Sequence, residues 1–155
     1  MGYNVLEIID KAIDIQNRRK IIIKSVLGED KAIPAMILIS KVLCNQIDDI
    51  IKYYYELKDE IRDIEYEEID IITYDKISFL INEFNNKIYN PQIDNGKEYL
   101  NFSLNLAKDT YSLFIDIQGR LVHNKNDTST KTYDILSKLI SSINKKIITI
   151  EKTIS

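Results

Sequence analysis

Apolar positions recur along this chain at alternating steps of three and four residues. Near the C-terminus Leu136, Ile140, Ile143, Ile147, Ile150 and Ile154 keep that order, and so do Ile39, Leu43, Ile47, Ile50, Tyr54, Leu57 and Ile61. A third set runs through Leu100, Leu104, Ala107, Tyr111 and Phe114. A helix turns once per 3.6 residues, so each set falls on one face and predicts an amphipathic helix. Many of these residues are isoleucines, whose β-branched side chains favour strands. A half-buried strand, however, needs a period of two, and the 3–4 spacing overrides the local preference. Several apolar stripes can be buried only against one another, so the expected fold class is all-α, a helical bundle.

The breakers fall between these stripes. The chain has only four glycines and two prolines. Gly28-Glu29-Asp30 closes a first helix over about residues 3–26. Pro34 suits the first turn of a second, where its missing N–H costs nothing, and that helix extends to about Ile61 or Asp63. A third, shorter helix is expected from about Thr73 to Tyr89, stopping before Asn90-Pro91. The turn-rich NPQIDNG leads into a fourth, about residues 97–118, with Gly119 near its end. HNKNDTST reads as a loop in which Asp127, Thr128 or Ser129 can cap a fifth helix ending near Ile154. At 155 residues the chain is expected to form one domain, 1–155.

Charge and composition narrow the classes of partner. With 21 basic and 24 acidic side chains the net charge is −3, which argues against a nucleic-acid partner, because backbone binding needs a basic face. Cys44 is the one cysteine; it excludes an internal disulfide and sits in an apolar run, as a small buried hydrophobe would. Apolar runs such as PAMILI are short and interrupted by charge, so no membrane span is expected. Glu7 and Asp10 fall where a signal peptide would be basic and then apolar, and a cytoplasmic location is the expectation.

Residues 1–58 and 98–155 follow one plan. AIDIQNRRKIII leads through a short turn to LISKVLCNQIDDIIKYYYELK, and LNLAKDTYSLFI leads to LSKLISSINKKIITIEK. The first pair resembles the first helix pair of ferritin-like, rubrerythrin-type proteins, and the second resembles their second pair. Residues 63–96 resemble the long crossover between them. The resemblance implies a four-helix ferritin-like bundle, with pairs at about 3–62 and 97–154 and an extra crossover helix at about 73–89.

Metal-binding members of that family supply, from each pair, a Glu on one helix and a Glu-x-x-His on the next, since residues i and i+3 share a face. By the same framing, the single Glu positions fall on Gln16 and Ala107, and the Glu-x-x-His positions on Ile47 with Ile50 and on Asn144 with Ile147. Methyl groups cannot ligate, and neutral amides are weak ligands for hard cations. The resemblance therefore implies a degenerate metal site with no metal, no cofactor and no catalytic residue. Without a cation, buried carboxylates would repel one another at a large desolvation cost, so apolar replacements follow. Gln16 and Asn144 are expected to hydrogen-bond across the core, or to a trapped water, at the former site; the alternative is that they lie at the edge of the core.

Other constellations carry less. A register slip would bring in Asp48 or Asp49, and a carboxylate-only metal site would join these to Asp109. His123 lies close to Arg120, but reads as a loop histidine meeting helix-end carbonyls. The acidic run DEIRDIEYEEID, residues 59–70, reads as a solvated helix end rather than a calcium loop, because the alternating oxygens and glycine are absent. Tyr53, Tyr54 and Tyr55 span most of a helix circumference; Tyr54 fits the core and its neighbours the flanks. Ile21, Ile22 and Ile23 likewise cannot all face one core. This apolar surplus predicts a homodimer. The leading functional expectation is a non-catalytic, metal-free bundle acting as an interaction or structural module. The alternatives are a bundle binding an apolar small molecule beside Ala107, and a metal-dependent oxidoreductase with a shifted carboxylate site.

Overall fold

A computed structural model describes residues 3–28 and 33–154. Those residues form five α-helices: α1 Val5–Ser25, α2 Pro34–Ile61, α3 Ile71–Asn85, α4 Gly96–Arg120 and α5 Lys131–Ile154, with a short 3-10 helix at Lys125–Ser129. They contain no strand, only an isolated antiparallel bridge from Tyr3 to Ile69. The all-α expectation therefore holds.

Local chemistry sets the helix ends. Asn4 caps α1, its side chain accepting from the backbone of Leu6 and Glu7 while the Glu7 carboxylate reaches back to the Asn4 N–H. Gly28, at φ 62, takes the left-handed conformation after α1 that favours glycine; the expected stop partners Glu29 and Asp30 lie outside the described residues. Pro34 occupies the first turn of α2. The third helix begins earlier than expected because Asp70, not a residue beside Thr73, is the cap, and it ends at Asn85 rather than Tyr89. For α5 the cap is Thr130, whose hydroxyl accepts from Tyr133 N–H at 3.1 Å. The expected candidates Asp127, Thr128 and Ser129 are taken up by the 3-10 helix, where Asp127 accepts from the N–H groups of His123 and Asn124.

Cross-helix contacts give the directions. Lys58–Asp10 and Lys20–Asp48, both 2.7 Å, place α1 and α2 antiparallel. Lys146–Asp49 and the bond from Tyr54 to the Leu139 carbonyl do the same for α2 and α5. Gln118 bonding to Tyr133 and Ser137, with Lys108 facing Glu151, makes α4 and α5 antiparallel. It follows that α2 and α4 run in the same direction, and the connection 62–95 must travel back along the bundle. The helix α3 makes that return, packed on α4.

The core has two apolar parts. The larger contains Ile8, Ile9, Ala12, Ile50, Tyr54, Ala107, Phe114, Leu136, Ile143 and Ile147, and also seats α3 through Ile77, Ile81 and Phe84. The smaller gathers Ile23, Met36, Leu43, Cys44, Ile47, Tyr99, Leu106 and Ile150. Cys44 is buried there, as expected of a small hydrophobe. Tyr54 is buried, Tyr53 half-buried and Tyr55 exposed; Ile23 is buried, Ile22 half-buried and Ile21 exposed. No helix among the described residues is long and apolar enough to cross a membrane.

Candidate functional site

The boundary between the two core parts falls between Ile47 and Ile50 on α2, between Leu106 and Ala107 on α4, and between Ile147 and Ile150 on α5. On α1 the same level is occupied by two polar side chains, Gln16 and Arg19, both buried. Five of the six ligand-equivalent positions, Gln16, Ile47, Ile50, Ala107 and Ile147, are thus buried.

Asn144 is not: it is exposed, which corrects the expectation that it lines the same interior. The buried stripe of α5 runs through Ile140, Ile143, Ile147 and Ile150. Asn144 follows Ile143 by one residue and is turned about 100° from it. The proposed amide-to-amide bond across the core fails with it. The Gln16 oxygen accepts instead from Arg19 Nη1, one turn along the same helix, at 3.1 Å.

Arg19 was not anticipated as an interior residue. Its guanidinium is only 2 % exposed and no carboxylate among the described residues pairs with it. Burial lowers its pKa to about 10, partly offset by the Tyr54 hydroxyl and the Cys44 thiol nearby. It therefore stays charged at neutral pH. Arg19 Nε and Gln16 Nε2 are both buried with no hydrogen-bond partner. The signal was in the sequence: Ala12, Gln16, Arg19 and Ile23 continue the 4–3–4 spacing of α1, whereas Arg18 falls off it and is exposed.

These residues do not fit the di-metal centre of the metal-binding ferritin-like proteins. A hard divalent cation needs anionic oxygen or imidazole ligands. At the five buried ligand-equivalent positions the side chains are aliphatic, with one amide, and the Arg19 guanidinium sits 3.1 Å from that amide.

The other candidate carboxylates are not brought together. Asp48 pairs with Lys20, Asp49 with Lys146, and Asp109 accepts from Tyr89 OH at 3.2 Å on the side facing the crossover. Among the described residues no three His, Cys, Asp or Glu side chains are grouped to hold a metal ion.

His123 meets the crossover rather than the carbonyl end of α4. Its Nε2 lies 3.0 Å from Thr73 Oγ1, which donates to Asp70 Oδ2 at 2.8 Å, and 3.7 Å from Asp70 itself. A nucleophilic triad would need the carboxylate on the opposite ring nitrogen. Here the carboxylate and hydroxyl share one nitrogen, so the cluster ties a loop to the start of α3. The acidic run has similar duties. Glu67 accepts from Thr132 N–H at 3.1 Å, and the Thr132 hydroxyl donates to the Glu67 carbonyl at 2.8 Å, so a crossover residue caps α5 from outside.

Compared with known proteins, the chain matches no family model, no curated protein and no solved structure.

Proposed function

We propose that this chain is a non-catalytic, metal-free bundle of the ferritin-like type that works as an interaction or structural module, as a homodimer. The observation that carries the reading is Arg19. A guanidinium enclosed at the level of Gln16, Ile47, Ile50, Ala107 and Ile147 repels a second cation in a region of low dielectric, where such repulsion is strong.

The interaction half of the reading rests on surface apolarity. Leu38 and Val42 on α2 are 64 % and 51 % exposed, beside a groove of about 200 Å³ floored by Leu43, Leu100 and Ile150. Exposed apolar surface of this kind marks contact sites. The test is elemental analysis of protein purified from iron- and manganese-supplemented cells, together with its mass by sedimentation. The reading expects less than about a tenth of a metal ion per chain and twice the chain mass. Stoichiometric metal would overturn the first half, and a strict monomer at high micromolar concentration the second.

A further inference from the structure

On the face where α2 and α5 meet there is an open groove of about 490 Å³, within the usual range for small-molecule sites of about 300–1,000 Å³. Its α5 wall carries Lys138, Ser141 and Lys145, spaced i, i+3 and i+7, so all three project from one side of the helix. Lys138 is held only loosely, 3.7 Å from Asp134. Neither the Lys145 ammonium nor the Ser141 hydroxyl has a hydrogen-bond or ion-pair partner among the described residues. Lys146, by contrast, is engaged with Asp49 of the α2 wall at 3.3 Å. The remaining α2 wall is apolar, formed by Ile50 and the half-buried ring of Tyr53.

The charge here opposes that of the molecule. Three lysines and one aspartate line the groove, leaving a local excess of two positive charges on a chain of net charge −3. Ser142, in the groove lining, and the buried Tyr54 hydroxyl behind it both donate to the Leu139 carbonyl, and Arg19 acts on Tyr54 from the interior. Two ammonium groups and a hydroxyl donor on one stripe suit a tetrahedral anion that accepts from several directions. A planar carboxylate is served better by an arginine fork, which the groove lacks.

We infer that the α2–α5 groove binds a phosphate-bearing small molecule, its phosphate on Lys138, Ser141 and Lys145 and its organic part against the ring of Tyr53. The inference goes beyond the metal-free reading and does not depend on it, because Lys138, Ser141 and Lys145 are exposed and take no part in the core.

The test is an amide NMR titration of the whole chain with phenyl phosphate, and separately with inorganic phosphate. Phenyl phosphate should shift amides of residues 138–149 and 49–53 saturably, and inorganic phosphate should bind the lysine end roughly tenfold more weakly. Lys138→Gln with Lys145→Gln should weaken phenyl phosphate at least about tenfold, since both are exposed and their loss leaves the core intact. Tyr53→Ala should weaken phenyl phosphate and leave inorganic phosphate unchanged. Absence of a saturable shift with either probe, or equal binding by the double lysine variant, would overturn the site. Equal affinity for the two probes would overturn the role given to Tyr53.

Discussion

The Arg19 guanidinium donates to the Gln16 amide oxygen at 3.1 Å in the buried middle of the bundle, with no carboxylate among the described residues paired to it. A lone buried charge is costly, and replacing buried ionic groups by apolar ones of similar volume is often stabilising by about 1–4 kcal/mol. The double variant Gln16→Leu/Arg19→Met should therefore unfold at higher urea than the wild type. Gln16→Leu alone should lower stability by about 1–3 kcal/mol, because it strips the guanidinium of that hydrogen bond. A double variant less stable than either parent would show that the pair is compensated. The Arg19 pKa of about 10 adds a sign: the burial penalty is fully present below that pH and is relieved as pH rises above it toward the ordinary guanidinium value.

Two buried tyrosines offer a matched comparison. Tyr99 donates to the Ile23 carbonyl at 2.8 Å, satisfying one of the carbonyls left open at the end of α1. Tyr54 donates to the Leu139 carbonyl at 3.2 Å, which Ser142 also serves at 2.7 Å. Tyr99→Phe leaves a buried acceptor bare and should cost about 1–3 kcal/mol; Tyr54→Phe should cost about 0.5–1.5 kcal/mol. Equal losses in denaturant unfolding would contradict this difference in carbonyl partners.

Acid should loosen the crossover. Burial would raise the Glu67 carboxyl, but backbone N–H donors at Glu67, Thr132 and Lys131 outweigh it and hold it below its ordinary value. The Thr73 N–H and hydroxyl lower Asp70 in the same way, helped by His123. A lowered carboxyl pKa contributes stability above the unfolded value of about 4, lost as pH falls through the lowered folded value. The melting temperature should drop in that window, and less steeply in a Glu67→Gln/Asp70→Asn variant. Identical profiles would remove these carboxylates from the account.

The proposed dimer face can be probed directly. Leu38→Glu/Val42→Glu places charge on two exposed side chains of α2 and so leaves the core unchanged. In sedimentation the wild type should show a dimer and the variant a monomer with the same helical content. A dimer in both would move the interface elsewhere, toward Tyr55 or Ile21, which are also exposed.

Much of the fold was legible because α2, α4 and α5 carry sustained 3–4 stripes, and glycines and prolines mark several of the helix boundaries. The short helix α3 was harder. Its boundaries depend on Asp70 and Asn86 as caps, and its exposed Ile71, Ile72 and Phe79 blur the stripe. At the candidate site, Asn144 was misplaced because a four-residue motif was imposed on α5, although the isoleucine stripe of that helix already excluded it. Arg19 was hidden by its neighbours: NRRK reads as a solvated charge run, and only the phase set by Ala12 and Ile23 separates Arg19 from Arg18. The α2–α5 groove joins residues about 90 positions apart, and no local pattern could have paired Lys145 with Tyr53.

The central claim is that the bundle interior does not bind a metal ion, and Mn(II) titration followed by electron paramagnetic resonance tests it most directly. Aqueous Mn(II) gives a six-line signal that is lost on binding. The account predicts that added Mn(II) keeps its full signal in the presence of the protein, and that Arg19→Met does not change this, because Ile47, Ile50, Ala107 and Ile147 supply no ligand atoms. Loss of signal for one or two Mn(II) per chain would contradict it.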